Sequence, residues 1–107
     1  MRTTDIERVR REGKTYAHPL LVLAALPNPG GDLRVAVIAG RGVGGAVQRS
    51  RAKRLLRAAL QPLLETLPAG HDLTLVARKP ILNQTSPQVQ NALATCLRKA
   101  GLLENPQ

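Results

Sequence analysis

Apolar residues recur along this chain with two periods, and the switches between them mark out its elements. Thr4-Asp5-Ile6-Glu7 has capping-box spacing, with Thr4 as N-cap and Glu7 three residues on. A short helix is expected from about Asp5 to Glu12, with Ile6 and Val9 on one face, Arg10 beside them and Gly13 as the stop. Lys14 to Ala17 suits a short strand, broken by His18-Pro19. Leu20 to Leu26 is an unbroken apolar run, short and proline-flanked as buried strands are. After the turn cluster Pro27 to Asp32 comes Arg34 to Ala39, a second such run. These two are expected to pair as an antiparallel hairpin. From Ala46 the period lengthens to that of a helix. Ala52, Leu55, Leu56, Ala59 and Leu63 share one arc, and Pro62 should kink the helix or end it early. Asp72 to Arg78 is a third core strand, and a helix between two strands suggests a parallel crossover. Ser86-Pro87 has the form of an N-cap followed by proline at the first helical position. Val89, Leu93, Cys96, Leu97 and Ala100 then repeat as a core-facing stripe that Gly101 ends. Glu104 to Gln107 reads as a frayed tail.

The chain has 107 residues, without repeats or a dividing linker, so it is read as one domain, 1–107. Charge narrows its class. Sixteen Lys and Arg against seven Asp and Glu give a net charge of +9, which points to nucleic acid or an anionic membrane surface. No apolar run approaches the roughly 20 residues needed to cross a bilayer. The N-terminus has no apolar segment of a secretory signal. Cys96 is the only cysteine, which leaves no internal disulfide partner and no cysteine-based metal cluster. These features fit a cytoplasmic nucleic-acid binder. Phe and Trp are absent and Tyr16 is the one aromatic residue, so binding must rest mainly on phosphate contacts and shape.

The charge is concentrated in Arg41 to Arg57, RGVGGAVQRSRAKRLLR, with no Asp or Glu between Asp32 and Glu65. At about 100° per residue, Arg49, Lys53 and Arg57 run down one side of a helix, with Arg54 beside them and Arg51 further round. Like charges at this spacing repel, and cations oppose the helix dipole near its N-terminus. A polyanion would reverse both effects. The glycine turn and helix start would offer it backbone N–H groups. Arg8, Arg10, Arg11 and Lys14 form a looser second cluster that serves solubility or a ligand equally well. No catalytic spacing is present, His18 has no second ligand at metal spacing, and Gly42-Val43-Gly44-Gly45 is neither a P-loop nor a dinucleotide fingerprint.

The run Val43 to Arg57 resembles the signature of the protein subunit of bacterial ribonuclease P, V-G-x-A-V-x-R-N-x-x-K-R-x-x-R, with Ser50 in place of the Asn. Asp5 to Val9, Gly13-Lys14 and Gly70 to Arg78 are similar to the family's opening helix and turn and its later strand. The resemblance implies an α+β fold, a two-layer α-β sandwich of order αβββαβα like the ribosomal-protein-like fold, with a left-handed βαβ crossover. It implies a ribonucleoprotein endonuclease that removes the 5′ leader of precursor tRNA. Cleavage and most Mg²⁺ binding would belong to the RNA subunit, and the protein would strengthen the binding of those ions. The RNA contacts implied are Arg49, Ser50, Arg51, Lys53, Arg54 and Arg57, supported by Arg41. The leader would lie in a cleft between the first helix and the sheet. There the family usually has Phe one turn apart, where this chain has Ile6 and Arg10, and Tyr16 would keep one aromatic surface.

From the residues alone, two other readings stand beside this one. One is a ribosomal or RNA-chaperone type module with no role in cleavage. The other is a DNA-binding protein using Ala46–Leu60 as a recognition helix, though its dense charge fits phosphate better than base readout. Dependence of tRNA 5′ maturation on the protein separates the first reading from both.

Overall fold

The computed structural model describes residues 1–104; of the expected tail, residues 105–107 lie outside the described residues. The elements follow the order α1 (Thr3–Glu12), β1 (Lys14–Ala17), β2 (Leu21–Pro27), β3 (Arg34–Ile38), α2 (Ala46–Leu60), β4 (His71–Ala77) and α3 (Ser86–Lys99). Short 3₁₀ segments at Gln61–Thr66 and Lys79–Asn83 follow α2 and β4. This is the expected αβββαβα order of an α+β sandwich.

Each helix end has a local cause. In α1 the N-cap is Arg2, two residues earlier than the Thr4 expected, because Asp5 rather than Glu7 closes the box, its Oδ2 accepting the Arg2 N–H at 3.2 Å. Gly13 ends the helix in ordinary extended backbone; a Cβ there would lie 2.5 Å from the Val9 carbonyl oxygen and 2.8 Å from that of Ala25. Close approach of helix and strand, and not a left-handed φ, therefore requires the glycine. Pro62 ends α2 as expected, the chain continuing as 3₁₀ turns. The cap of α3 is Thr85, one residue before the Ser86 expected, with its N–H donating to Gln88 Oε1 at 2.8 Å.

The sheet order is β1-β2-β4-β3. β2 is antiparallel to both β1 and β4, and β3 is parallel to β4. The expected β2–β3 hairpin is therefore absent, and β4 lies between those strands. The reason is burial. Asp72 to Leu75 are all buried, whereas every residue of β3 keeps partial exposure. The more enclosed strand takes the interior position, and the loop of residues 28–33 reaches across it.

Register assigns the two faces of the sheet. Leu23, Leu75 and Val37 align on one face with Leu21 and Leu73, and there α2 and α3 complete the core with Leu56, Ala59, Val89, Leu93, Cys96 and Leu97. Burial pushes the Cys96 thiol up in pKa, which suits a packing role. Val22, Ala24, Thr74 and Val76 occupy the opposite face, together with Arg34 and Asp72. α1 lies across part of that face, docked by the fully buried Val9 against β2 and β4.

Candidate nucleic-acid interface

Two surfaces emerge from this arrangement. The first is the outer face of α2 with its preceding loop. Val43 is buried and anchors the loop, and its N–H donates to the Gly40 carbonyl at 3.1 Å. Gly44 follows with φ of 145°, and a Cβ there would meet the Gln48 Cβ at 2.9 Å, so only glycine fits without strain. Gly45 is the N-cap and has no side chain to bond the first helical N–H groups, and the first turn holds no acid. The start of the helix is thus left open to an anion.

Arg41, before this turn, and Ser50, Arg51, Arg54 and Arg57, after it, are exposed, while Arg49 and Lys53 lie half-buried against the body. Among the described residues, none of these six cations forms an ion pair or donates a side-chain hydrogen bond to the protein; the Arg49 Nε is buried without a partner. The contrast with α1 and the sheet is informative. Arg34 donates to Asp72 from Nε at 2.8 Å and Nη2 at 2.6 Å, Arg8 Nη2 lies 3.5 Å from Asp72, and Arg34 Nη1 lies 3.6 Å from Asp5. Asn28 Nδ2 donates to the same Asp72 carboxylate. The hydrogen bonds from Arg34 and Asn28, with the charges of Arg34 and Arg8, hold the Asp72 carboxyl below the usual range against the cost of burial. Arg8 and Arg34 thus build structure, and among the described residues the cations of α2 make no such pairs.

The second surface is the cleft between α1 and the uncovered part of the sheet. It encloses about 240 Å³ and is lined by Arg10, Thr15, Val22, Ala24, Thr74 and Val76. The Asp5–Arg34 and Arg8–Asp72 pairs tie α1 to the sheet and so fix one wall. Thr74 is fully buried in the floor, and its Oγ1 has no hydrogen-bond partner. Ile6 is half-buried on α1, one turn before Arg10.

Tyr16 is not part of this cleft. It pairs in register with Leu23 and packs against the core on the α2/α3 side. Its backbone carbonyl faces the Cys96 thiol at 3.9 Å. The structure thus separates it from Arg10, on the far side of the sheet. Thr15, Val22, Ala24, Thr74 and Val76 were not singled out from the sequence. Period-two alternation would have found them once β2 and β4 were known to be neighbours. Of the basic cluster on α1, Arg8 is occupied with Asp72, Arg11 lies 3.7 Å from Glu12, and Arg10 faces the cleft.

Among the described residues, no three His, Cys, Asp or Glu side chains converge as a metal site. His18 Nδ1 accepts the Leu20 N–H at 3.0 Å. No helix among the described residues is long and apolar enough to cross a membrane.

The sequence pattern of the family described as Ribonuclease P matches residues 1–101. A ribonuclease P protein component of Chloroflexus aurantiacus is 40% identical over 106 residues, covering 98% of this chain and 78% of that protein. One from Chloroflexus aggregans is 36% identical over 107 residues, covering 99% and 79%. Among solved structures, the Staphylococcus aureus RNase P protein superposes with a TM-score of 0.84 at 25% identity, covering 97% of this chain and 95% of that one.

Proposed function

Since the chain belongs to the ribonuclease P family, we propose that it serves this tRNA-processing ribonucleoprotein as its RNA-gripping component, with α2 on the catalytic RNA and the α1 cleft on the 5′ leader of precursor tRNA. The observation that carries this reading is the unpaired cationic face of α2. Arg49, Arg51, Lys53, Arg54 and Arg57 bind phosphates, Arg41 adds a further charge from the loop, and the Ser50 hydroxyl can donate to a phosphate oxygen. In this reading hydrolysis and the Mg²⁺ it needs belong to the RNA subunit. The protein contributes positive charge beside the RNA, which favours close approach of leader and RNA subunit.

Reconstitution tests the proposal. Purified protein, a bacterial ribonuclease P RNA and a precursor tRNA are combined at low Mg²⁺. Cleavage at the mature 5′ end is expected only when protein and RNA are both present. Tight RNA binding without stimulation, across several such RNAs, would instead support an RNA-binding module outside tRNA maturation.

The cleft gives a second test. It has no aromatic side chain, so the Arg10 guanidinium is its one π-surface for a base. Arg10→Ala is expected to weaken leader affinity about 3- to 30-fold, the range for cation–π and stacking contacts. Tyr16→Ala should leave leader affinity unchanged wherever the variant is folded. Affinities for substrates with and without a leader check both statements, and equal loss for the two substrates would remove Arg10 from the cleft's function.

A further inference from the structure

We infer that Val47 is an apolar contact to RNA, packing on a ribose or base face between the phosphates held by the α2 cations. The inference rests on the reading of α2 as the RNA-binding face. Val47 is 77% exposed, and the other exposed large apolar side chain among the described residues is the N-terminal Met1, at 39%. An isolated exposed valine ordinarily carries no message. The surroundings of this one are different.

At about 100° per residue, Val47, Arg51, Arg54 and Ala58 fall on a single stripe of α2. All four are exposed, and Ser50 beside them is exposed too. The stripe lies opposite Ala52, Leu56, Ala59 and Leu60, the residues α2 buries. Val47 heads the stripe at the second position of the helix, one turn before Arg51 and directly after the open helix start at Gly45 and Ala46. It therefore points away from the core, where no described residue covers it. A β-branched residue in an exposed helix turn also loses side-chain freedom without packing in return.

Charge decides which partner fits. A second copy of the chain would bring the same unpaired cations to this face, in a protein of net charge +9. RNA brings phosphates for Arg49, Arg51 and Arg54, and between successive phosphates it presents sugar C–H groups and base faces. Arginines alone grip any polyanion equally; an apolar side chain set among them adds a contact that depends on the shape between the phosphates.

The test is titration of the full-length protein onto a bacterial ribonuclease P RNA across a series of salt concentrations. Val47→Ser is expected to weaken binding about 3- to 10-fold at every salt concentration, as for partial loss of one valine's burial. The log–log salt slope should stay unchanged, because no phosphate contact is lost. Val47→Leu should bind as the parent does, and thermal unfolding of both variants should match it because the side chain is exposed. Parent-like affinity for Val47→Ser, while Arg49→Ala with Lys53→Ala still weakens binding, would overturn this inference and leave the α2 reading standing. If neither change weakens binding, the α2 reading itself fails. Tighter binding and a steeper salt slope for Val47→Lys would show that the position faces phosphate, and would also overturn the inference. So would a Val47→Ser change confined to self-association.

Discussion

Replacing Asp72 by alanine is expected to remove about 3 kcal/mol of folding stability, at the lower end of the range for breaking a buried ion pair. Asp72 is fully buried, and it joins three parts of the fold: α1 through Arg8, β3 through Arg34, and the loop after β2 through Asn28. The lower end applies because the Arg34 and Arg8 side chains left behind are 41% and 46% exposed and can turn to water. In a domain of this size the melting temperature should fall by about 12–24 °C. With Asp72 kept, Arg34→Lys should also destabilise the fold, since an ammonium cannot reproduce the two parallel N–H···O bonds. Hydrogen exchange should locate the loosening in α1. Leader affinity should fall with it, while binding through α2 persists.

The same group sets an acid limit. Its folded pKa lies below its unfolded one, chiefly through the Arg34 hydrogen bonds. Its contribution is therefore fully present above the ordinary aspartate value of about 3.9 and is lost as pH falls through the lower folded value. Stability should stay flat in this respect from neutral pH down to about pH 5 and fall below about pH 4. Asp72→Asn should flatten that limb. An unchanged acid limb in Asp72→Asn would assign the transition to other carboxylates.

Arg49→Ala combined with Lys53→Ala is the second large effect. Each phosphate contact adds a slope of about 0.7–0.9 in log affinity against log salt. At 0.1 M salt that corresponds to roughly 5- to 8-fold per contact. The double variant should thus bind ribonuclease P RNA about 25- to 60-fold more weakly, with the slope reduced by about 1.4–1.8. Lys53→Ala alone should lower the slope by about 0.7–0.9. The free protein should keep its stability, because removing like charges one turn apart relieves about 0.2–0.5 kcal/mol of repulsion per pair. Loss of binding without loss of stability marks residues held for a partner. An unchanged slope would remove both from the interface.

Most of the α2 surface and of the helices around it is readable in the chain, because the determinants are local. The glycine turn, the cationic row, the break at Pro62 and the stripe of α3 all lie within single elements, where periodicity reports directly. The cleft is assembled from α1 and three separate strands, and which strands adjoin is decided by burial competition across the whole sheet. Taking β2 and β3 as partners hid β4 between them, and with it the alignment of Val22 and Ala24 with Val76 and Thr74. It also left Tyr16 without a face. Side-chain direction in a strand is known only once the strand's neighbours are. Asp72 gave no signal either, since its partners Asn28 and Arg34 stand 44 and 38 residues away. A lone acid heading an apolar run looks like a solvated strand end until its arginines are placed.

The position of β4 also bears on how the protein comes into being on the ribosome. Synthesis runs from the N-terminus, yet the strand at the middle of the sheet is the last strand made. Until residues 71–77 emerge, β2 has only the four-residue β1 beside it, and β3 has no neighbour. The apolar faces of both strands then wait in the unfinished chain, and parallel closure through α2 is a slow, long-range step. By then the whole cationic stretch has already left the tunnel, at the surface of a particle built largely of RNA. The nascent polypeptide thus exposes its cationic stretch before it has a native conformation to arrange those charges.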